Sequence, residues 1–291
     1  VDHYLRLWRN TDALQDFLNL FGAEFLGHAC DYIEGGSGPQ CSHSLGACAA
    51  VGGKSRTGRR LRYNPGPFPE SAPMSLPSLR LKANADRRLR AGHLWVYSNE
   101  IDVAATPLNG FAAGDQAILE AAGGKPLGVV AMSPNNLICA RLLSRDVKHV
   151  LDKSLLVHRI NVALSLRERL FDQPCYRLVY GDSDLLPGLV VDRFFDILVV
   201  QLASATMERN KDEVLAALIQ VCKPSGILLK NDSAARDAEG LERYVTTAFG
   251  VVPEWVALEE NGVKFEAPVI EGQKTGWFYD HRMNRARLAP Y

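Results

Sequence analysis

Residues 116–143 read QAILEAAGGKPLGVVAMSPNNLICARLL. Three β-rich runs stand out: Gln116–Leu119, Leu127–Met132 and Leu137–Leu143. Gly123-Gly124 and Pro134-Asn135-Asn136 separate them, and these residue types predict turns because they accept or impose turn dihedrals. Upstream, Ser78–Lys82 alternates like a short strand, and Asp86–Arg90 reads as a single helical turn closed by Gly92. Several short strands with one small helix predict a compact β-barrel-like module.

Past this module the period changes. Leu151–Phe171 is helical, with Leu156, Ile160, Ala163, Leu164 and Leu170 on one side and Arg159, Arg167 and Glu168 elsewhere. Strands are expected at Tyr176–Tyr180, Leu189–Asp192 and Asp196–Leu202, then a helix over Met207–Val221 and a strand over Gly226–Lys230. This strand-strand-helix-strand order predicts a second, α+β domain. A hairpin follows, Trp255–Glu259 and Lys264–Val269 about the turn Asn261-Gly262. A last helix starts at Asp280. The fold class expected is thus a multi-domain chain mixing α/β and α+β units.

With 291 residues, 47% hydrophobic and 23% charged, the chain has ordinary globular usage and length enough for two or three domains. Lys plus Arg number 33 and Asp plus Glu 33, so a polycation is excluded and any nucleic-acid contact must come from a local patch. No apolar run reaches the roughly 18 residues of a membrane span, and a cytoplasmic location is expected. Six cysteines without a CxxC pair fit reduced thiols rather than a disulfide scaffold or zinc ribbon. His28, Cys30, Cys41, His43 and Cys48 have spacing unlike a structural zinc site. Residues 1–73 differ from the rest. An amphipathic helix is readable near Leu14–Phe25, after which Gly35–Pro73 loses periodicity and is expected to be disordered. Two readings stand for this extension: a regulatory tail whose Lys54, Arg56, Arg59, Arg60 and Arg62 touch RNA, or translated sequence upstream of a start at Met74.

Three stretches offer chemistry. Arg80, Lys82, Arg87, Arg88, Arg90 and His93, followed by Trp95 and Tyr97, put cations beside aromatics, a combination that suits RNA; a solvated helix face is the plain alternative. Gly181–Arg193 holds Asp182, Asp184 and Asp192, able in principle to form an acid/base pair or a metal site. Its Pro187-Gly188 turn favours a structural reading, with Asp182 and Asp184 as turn and capping residues and Asp192 and Arg193 at a strand end. Glu271–Arg282 has Gly272 and Gly276, which permit close backbone approach to a ligand, Lys274 and Arg282 as carboxylate-pairing donors, Phe278 and Tyr279 as stacking faces, and Asp280 as a helix cap. His281 reads equally well as a site or a helix-surface residue. Cys139, Cys175 and Cys222 have no support as catalytic thiols.

Together three segments resemble one family. Leu79–Lys82 through Gly92–Ile101 looks like the opening of a PUA domain, a small RNA-binding β-barrel. Tyr180–Asp184 through Leu186–Phe194 is similar to the signature of the family's central domain. Glu259–Phe265 and Gly272–Arg282 look like the entry to its catalytic domain. The family is the PUA-containing 23S rRNA cytosine-5 methyltransferases, dependent on S-adenosylmethionine (SAM). The resemblance covers about Met74 to Leu288. The extension at 1–73 lies outside it; it implies a PUA-like domain at 74–148, a central α+β domain at 149–253, and at 254–291 the hairpin and helix that open a Rossmann-like methyltransferase domain. It further implies RNA contact by Arg87, Arg88, Arg90 and His93, cofactor contact by Lys274, Thr275, Phe278, Asp280 and Arg282, and 23S rRNA as the partner, with homodimerisation open. In the family a cysteine thiolate adds to C6 of the target cytosine, making C5 nucleophilic towards the SAM methyl. The catalytic cysteines are expected past Tyr291, as is the glycine-rich turn of the SAM fold. His281 and Trp277 depart from the residues common in relatives, Gln and Tyr. An RNA-docking module without catalysis is the alternative reading.

Overall fold

The computed structural model describes residues 76–288. The expectations for residues 1–73 lie outside these residues. Strands β1 (Ser78–Arg80), β2 (Trp95–Tyr97), β3 (Gln116–Glu120), β4 (Pro126–Met132) and β5 (Ile138–Ser144) form one sheet in the order β1-β3-β4-β5-β2. Its two edges meet just past β1 and β2. Leu81 bridges Ile101, and Lys82 N–H and Asp102 N–H donate to the carbonyls of Glu100 and Arg80, both at 2.9 Å. Joining the edges removes exposed strand polarity and gives the barrel-like closure expected from the sequence. Leu79, Val96, Leu119, Val130, Met132 and Leu142 fill the inside. A helical turn α1 (Arg87–Arg90) sits over this core through Leu89.

The second sheet has the order β10-β9-β8-β7-β6, from β6 (Cys175–Tyr180), β7 (Leu189–Phe194), β8 (Ile197–Leu202), β9 (Gly226–Asn231) and β10 (Tyr244–Gly250). Only β8 and β9 run parallel, and helices α3 (Ala205–Arg209) and α4 (Lys211–Cys222) make the crossover. The run Ile197-Leu198-Val199-Val200 is apolar at every position because both faces of this sheet are covered. Leu198, Val200 and Leu229 face α4 and α2 (Lys153–Leu170), while Ile197, Val199 and Leu228 face a hairpin of β11 (Trp255–Glu260) and β12 (Val263–Pro268). The chain then turns into α5 (Arg282–Ala286). No helix among the described residues is long and apolar enough to cross a membrane.

The two sheets share a core. Val129, Ala131 and Leu143 point out of the first sheet into the cluster of Leu151, Leu156 and Leu186. Arg159, expected away from the apolar side of α2, is buried there, its guanidinium donating to the carbonyls of Leu143 and Leu185. Burial disfavours its charged form and brings its pKa down to about 10. Leu170, expected on the apolar side, is exposed instead. A buried arginine satisfying carbonyls from both domains was invisible to helical periodicity, which sorts residues only by polarity.

Candidate functional site

The basic residues of the first sheet differ in how free they are. Arg90 pairs with Asp86 at 2.5 Å, and this hydrogen bond holds the Asp86 carboxyl below the ordinary carboxylate range. Arg88 pairs with Glu100 at 3.3 Å, its guanidinium 4.8 Å from the centre of the Tyr97 ring. Arg87 has no ion-pair partner among the described residues, and it and His93 are exposed. Trp95 is 40% exposed on edge strand β2 and donates from Nε1 to Asp182 Oδ2 at 3.1 Å. That bond places the basic-aromatic stretch beside the Gly181–Asp184 turn, across 87 residues of sequence.

The carboxylates of that turn are structural, as expected. Asp184 takes a bidentate pair from Arg167 at 2.6 and 2.7 Å and the backbone N–H of Tyr180 at 2.6 Å. Asp192 corrects the expectation of a strand-end residue. It is fully buried within β7, takes a bidentate pair from Arg177 at 2.8 and 2.9 Å, and accepts from Thr275 Oγ1. Burial alone would lower the Arg177 pKa, but hydrogen bonds and charge from Asp192 outweigh it and hold it above the ordinary value. The Asp280 carboxylate adds to that effect. The Arg177 guanidinium lies 5.4 Å from the centre of the Tyr180 ring, which is 57% exposed. No cluster among the described residues has the makings of a metal site.

The segment after β12 is fastened from beneath. Glu260, buried at the end of β11, takes a bidentate pair from Arg285 at 2.6 and 3.0 Å and a hydrogen bond from Trp277 Nε1 at 3.2 Å. Tyr279 is buried and donates to the Arg193 carbonyl at 2.8 Å, and burial raises its phenol pKa well above the usual value. Gly272 and Gly276 allow a close approach, but to the protein itself. A Cβ at Gly272 would sit 2.1 Å from the Pro268 carbonyl oxygen, and one at Gly276 2.9 Å from it. Asp280 does not cap α5: His281 occupies the N-cap, and no side-chain cap bond forms.

The five residues expected at the cofactor divide. Thr275 is buried against Asp192, and Arg282 donates to the Cys175 carbonyl at 3.1 Å while lying 4.4 Å from the centre of the Phe171 ring. Lys274 and Asp280 are exposed, and Phe278 is partly so. Lys274 has left-handed backbone (φ 53°) and its ammonium is 4.4 Å from the centre of the Phe278 ring, with no carboxylate partner among the described residues. Asp280 is 62% exposed, and His281 approaches it at 3.9 Å. A free cation, an aromatic ring and a free carboxylate make a donor set that fits a zwitterionic nucleoside ligand on that face.

Residues 79–145 match the PUA-like domain family. The large-subunit ribosomal RNA methyltransferase I of Aliivibrio fischeri strain MJ11 is 35% identical over 219 residues, which are 74% of this chain and 54% of that protein. Over those residues the chain is similar to this rRNA methyltransferase. The enzyme of the same name from Pseudoalteromonas translucida is 35% identical over 213 residues, 72% of this chain and 53% of that one. The chain thus spans about half the length of the curated relatives it matches. Two solved methyltransferase structures share the fold. One, described as SAM-dependent and from Streptococcus mutans, has TM-score 0.61 and 22% identity over 73% of this chain and 54% of its own. The other, complexed with SAH, has TM-score 0.62 and 21% identity over 73% and 53%.

Sequence reasoning passed over Arg177, Glu260 and Arg285, whose partners lie 15 to 25 residues away along the chain. Arg177 pairs from strand to strand and Glu260 from strand to helix, and no local spacing marks such pairs.

Proposed function

We propose that these residues are the RNA-docking half of a SAM-dependent rRNA methyltransferase that acts on a cytosine C5 of 23S rRNA, in a cytoplasmic setting. The first sheet with Arg87, Arg88, Arg90 and His93 is the PUA-like docking surface, and Lys274–Arg282 is one wall of the cofactor site. The observation that carries this reading is the Trp95–Asp182 contact, which sets the basic-aromatic surface against the central signature segment. SAM, when bound, supplies the methyl group. Of these residues, Lys274 would pair with its carboxylate, Phe278 would lie beside its adenine, and Asp280 would accept from its hydroxyls. Thr275 and Arg282 hold that wall to the second sheet.

A non-catalytic docking module is the second reading, favoured by the openness of the Lys274–Asp280 face, where Asp280 is 62% exposed. Among the described residues, burial raises Cys139 and Cys222 to about 11 and raises Cys175 above its ordinary value, which disfavours their thiolates. Incubation of the full chain with a structured 23S rRNA fragment and SAM carrying a labelled methyl tests the docking role that both readings share. RNA binding without label is expected of a docking half, label at a cytosine C5 would show that the active site is complete in these residues, and no binding at low salt refutes both readings.

A further inference from the structure

We infer that Tyr180 is a stacking platform for one unpaired nucleotide of the bound RNA, on a track that runs from the PUA-like sheet to the end of β6. This rests on the RNA-docking reading above. Tyr180 closes β6, and more than half of its surface is open to solvent. A large ring that exposed at a strand end contributes little to the core. It is nonetheless held in place. The Arg177 guanidinium lies over the ring, fixed by the two hydrogen bonds it gives to buried Asp192. The Tyr180 backbone N–H is fixed in turn by Asp184, which Arg167 grips from α2. An exposed aromatic side chain set on a framework of two charge pairs is pre-organised, so ordering it costs little when a ligand arrives.

Its surroundings indicate the ligand. Trp95, a second exposed ring, bonds Asp182 two residues further along the chain. Two cation–ring pairs, Arg88–Tyr97 and Arg177–Tyr180, repeat the same element from the first sheet to the end of β6. Alternating cations and ring faces match a single strand, whose phosphates take the charges while each base offers a π-face. A duplex hides those faces. The platform is therefore selective for unpaired RNA, whereas Arg87 adds affinity irrespective of pairing.

The test uses the full chain with two probes: a twelve-nucleotide single-stranded RNA of mixed sequence, and the same strand in a perfect duplex. Tyr180→Ala is expected to weaken single-strand binding about tenfold, as loss of roughly 1.4 kcal/mol of stacking does, and to change duplex binding less than twofold. Tyr180→Phe should bind like the parent, because the ring and not the hydroxyl is used. The salt dependence of Tyr180→Ala should match the parent, while Arg87→Ala flattens it. Parent-like single-strand binding by Tyr180→Ala, or equal losses on both probes, overturns the platform alone. A parent chain that binds neither probe overturns the docking reading with it.

Discussion

Asp192 is the point where the candidate cofactor wall and the second sheet are joined, and replacing it by Asn gives a measurable account of that joint. Its side chain is fully buried and Arg177 beside it is 27% exposed. Breaking a buried pair by removing one partner costs about 3–5 kcal/mol, since the surviving charge stays desolvated. Partial exposure lets water reach Arg177, which points to the lower end, about 3 kcal/mol, and the amide oxygen of Asn preserves an acceptor for Thr275. That is a large share of the roughly 5–15 kcal/mol that holds a typical domain folded. With a urea slope of about 2 kcal/mol per molar, the unfolding midpoint should fall by roughly 1.5 M. Tryptophan fluorescence during urea titration reads the midpoint. Amide exchange at 272–280 reads the local consequence, and it should speed up in the variant under native conditions. The double variant with Arg177→Ala should recover part of the loss, because no stranded charge remains. A midpoint within about 0.2 M of the parent, with unchanged exchange, would show that the Asp192 charge does not hold this segment, and the reasoning would fail.

Other outcomes follow from the same interactions. Glu260→Gln should destabilise by about 3 kcal/mol, through loss of the charge facing Arg285 and Arg282, and should expose Trp277 to a fluorescence quencher; unchanged quenching counts against Glu260 holding this segment. Replacing Arg87, Arg88 and Arg90 together by Ala should flatten the log–log salt dependence of RNA binding, by roughly 0.9 for each duplex phosphate that is no longer neutralised. Arg87→Ala alone should give a disproportionate part, as Arg88 and Arg90 already pair with Glu100 and Asp86; an unaltered slope assigns all three to a solvated helix face. SAM should bind this chain no more tightly than about millimolar, since Lys274, Phe278 and Asp280 form an open face whereas good sites enclose roughly 70–90% of their ligand; micromolar binding by calorimetry would place the site elsewhere. Hydrogen bonds from Ser78 and Arg80 lower the Glu120 pKa in the folded chain. The stability this contributes is present above the unfolded value near 4.5 and is lost as pH falls through the lowered folded value, so Glu120→Gln should flatten acid unfolding in that window. An acid limb identical to the parent's would contradict it.

The strands that alternate or run apolar were legible, because burial on one or two faces writes itself into every second residue or every residue. Three features were not. Trp95–Tyr97 is three residues long, too short for a period, and exists as a strand only because β5 lies alongside. Tyr244–Gly250 is an edge strand with most of its residues exposed, so no apolar face announces it. The helix expected over Met207–Val221 starts two residues earlier and breaks at Asn210, whose side-chain amide donates to the Thr206 carbonyl at 2.8 Å. In the candidate site the residue types of Glu271–Arg282 were readable as ligand chemistry. Their division into exposed Lys274 and Asp280, partly exposed Phe278, and inward Thr275 and Arg282 depends on Asp192 and Cys175, which lie 83 and 107 residues away from their partners. The glycines were read as opening space for a ligand, and the carbonyl of Pro268 occupies it.

The shared packing of Val129, Ala131 and Leu143 with the second sheet, and of Arg159 with carbonyls on both sides, has a metrical consequence. The two sheets cannot hinge without opening an apolar seam and stranding a guanidinium. On the docking reading, an RNA held at the first sheet would bring to Tyr180 only a nucleotide at the matching contour distance, so the choice among neighbouring unpaired bases would be made by span.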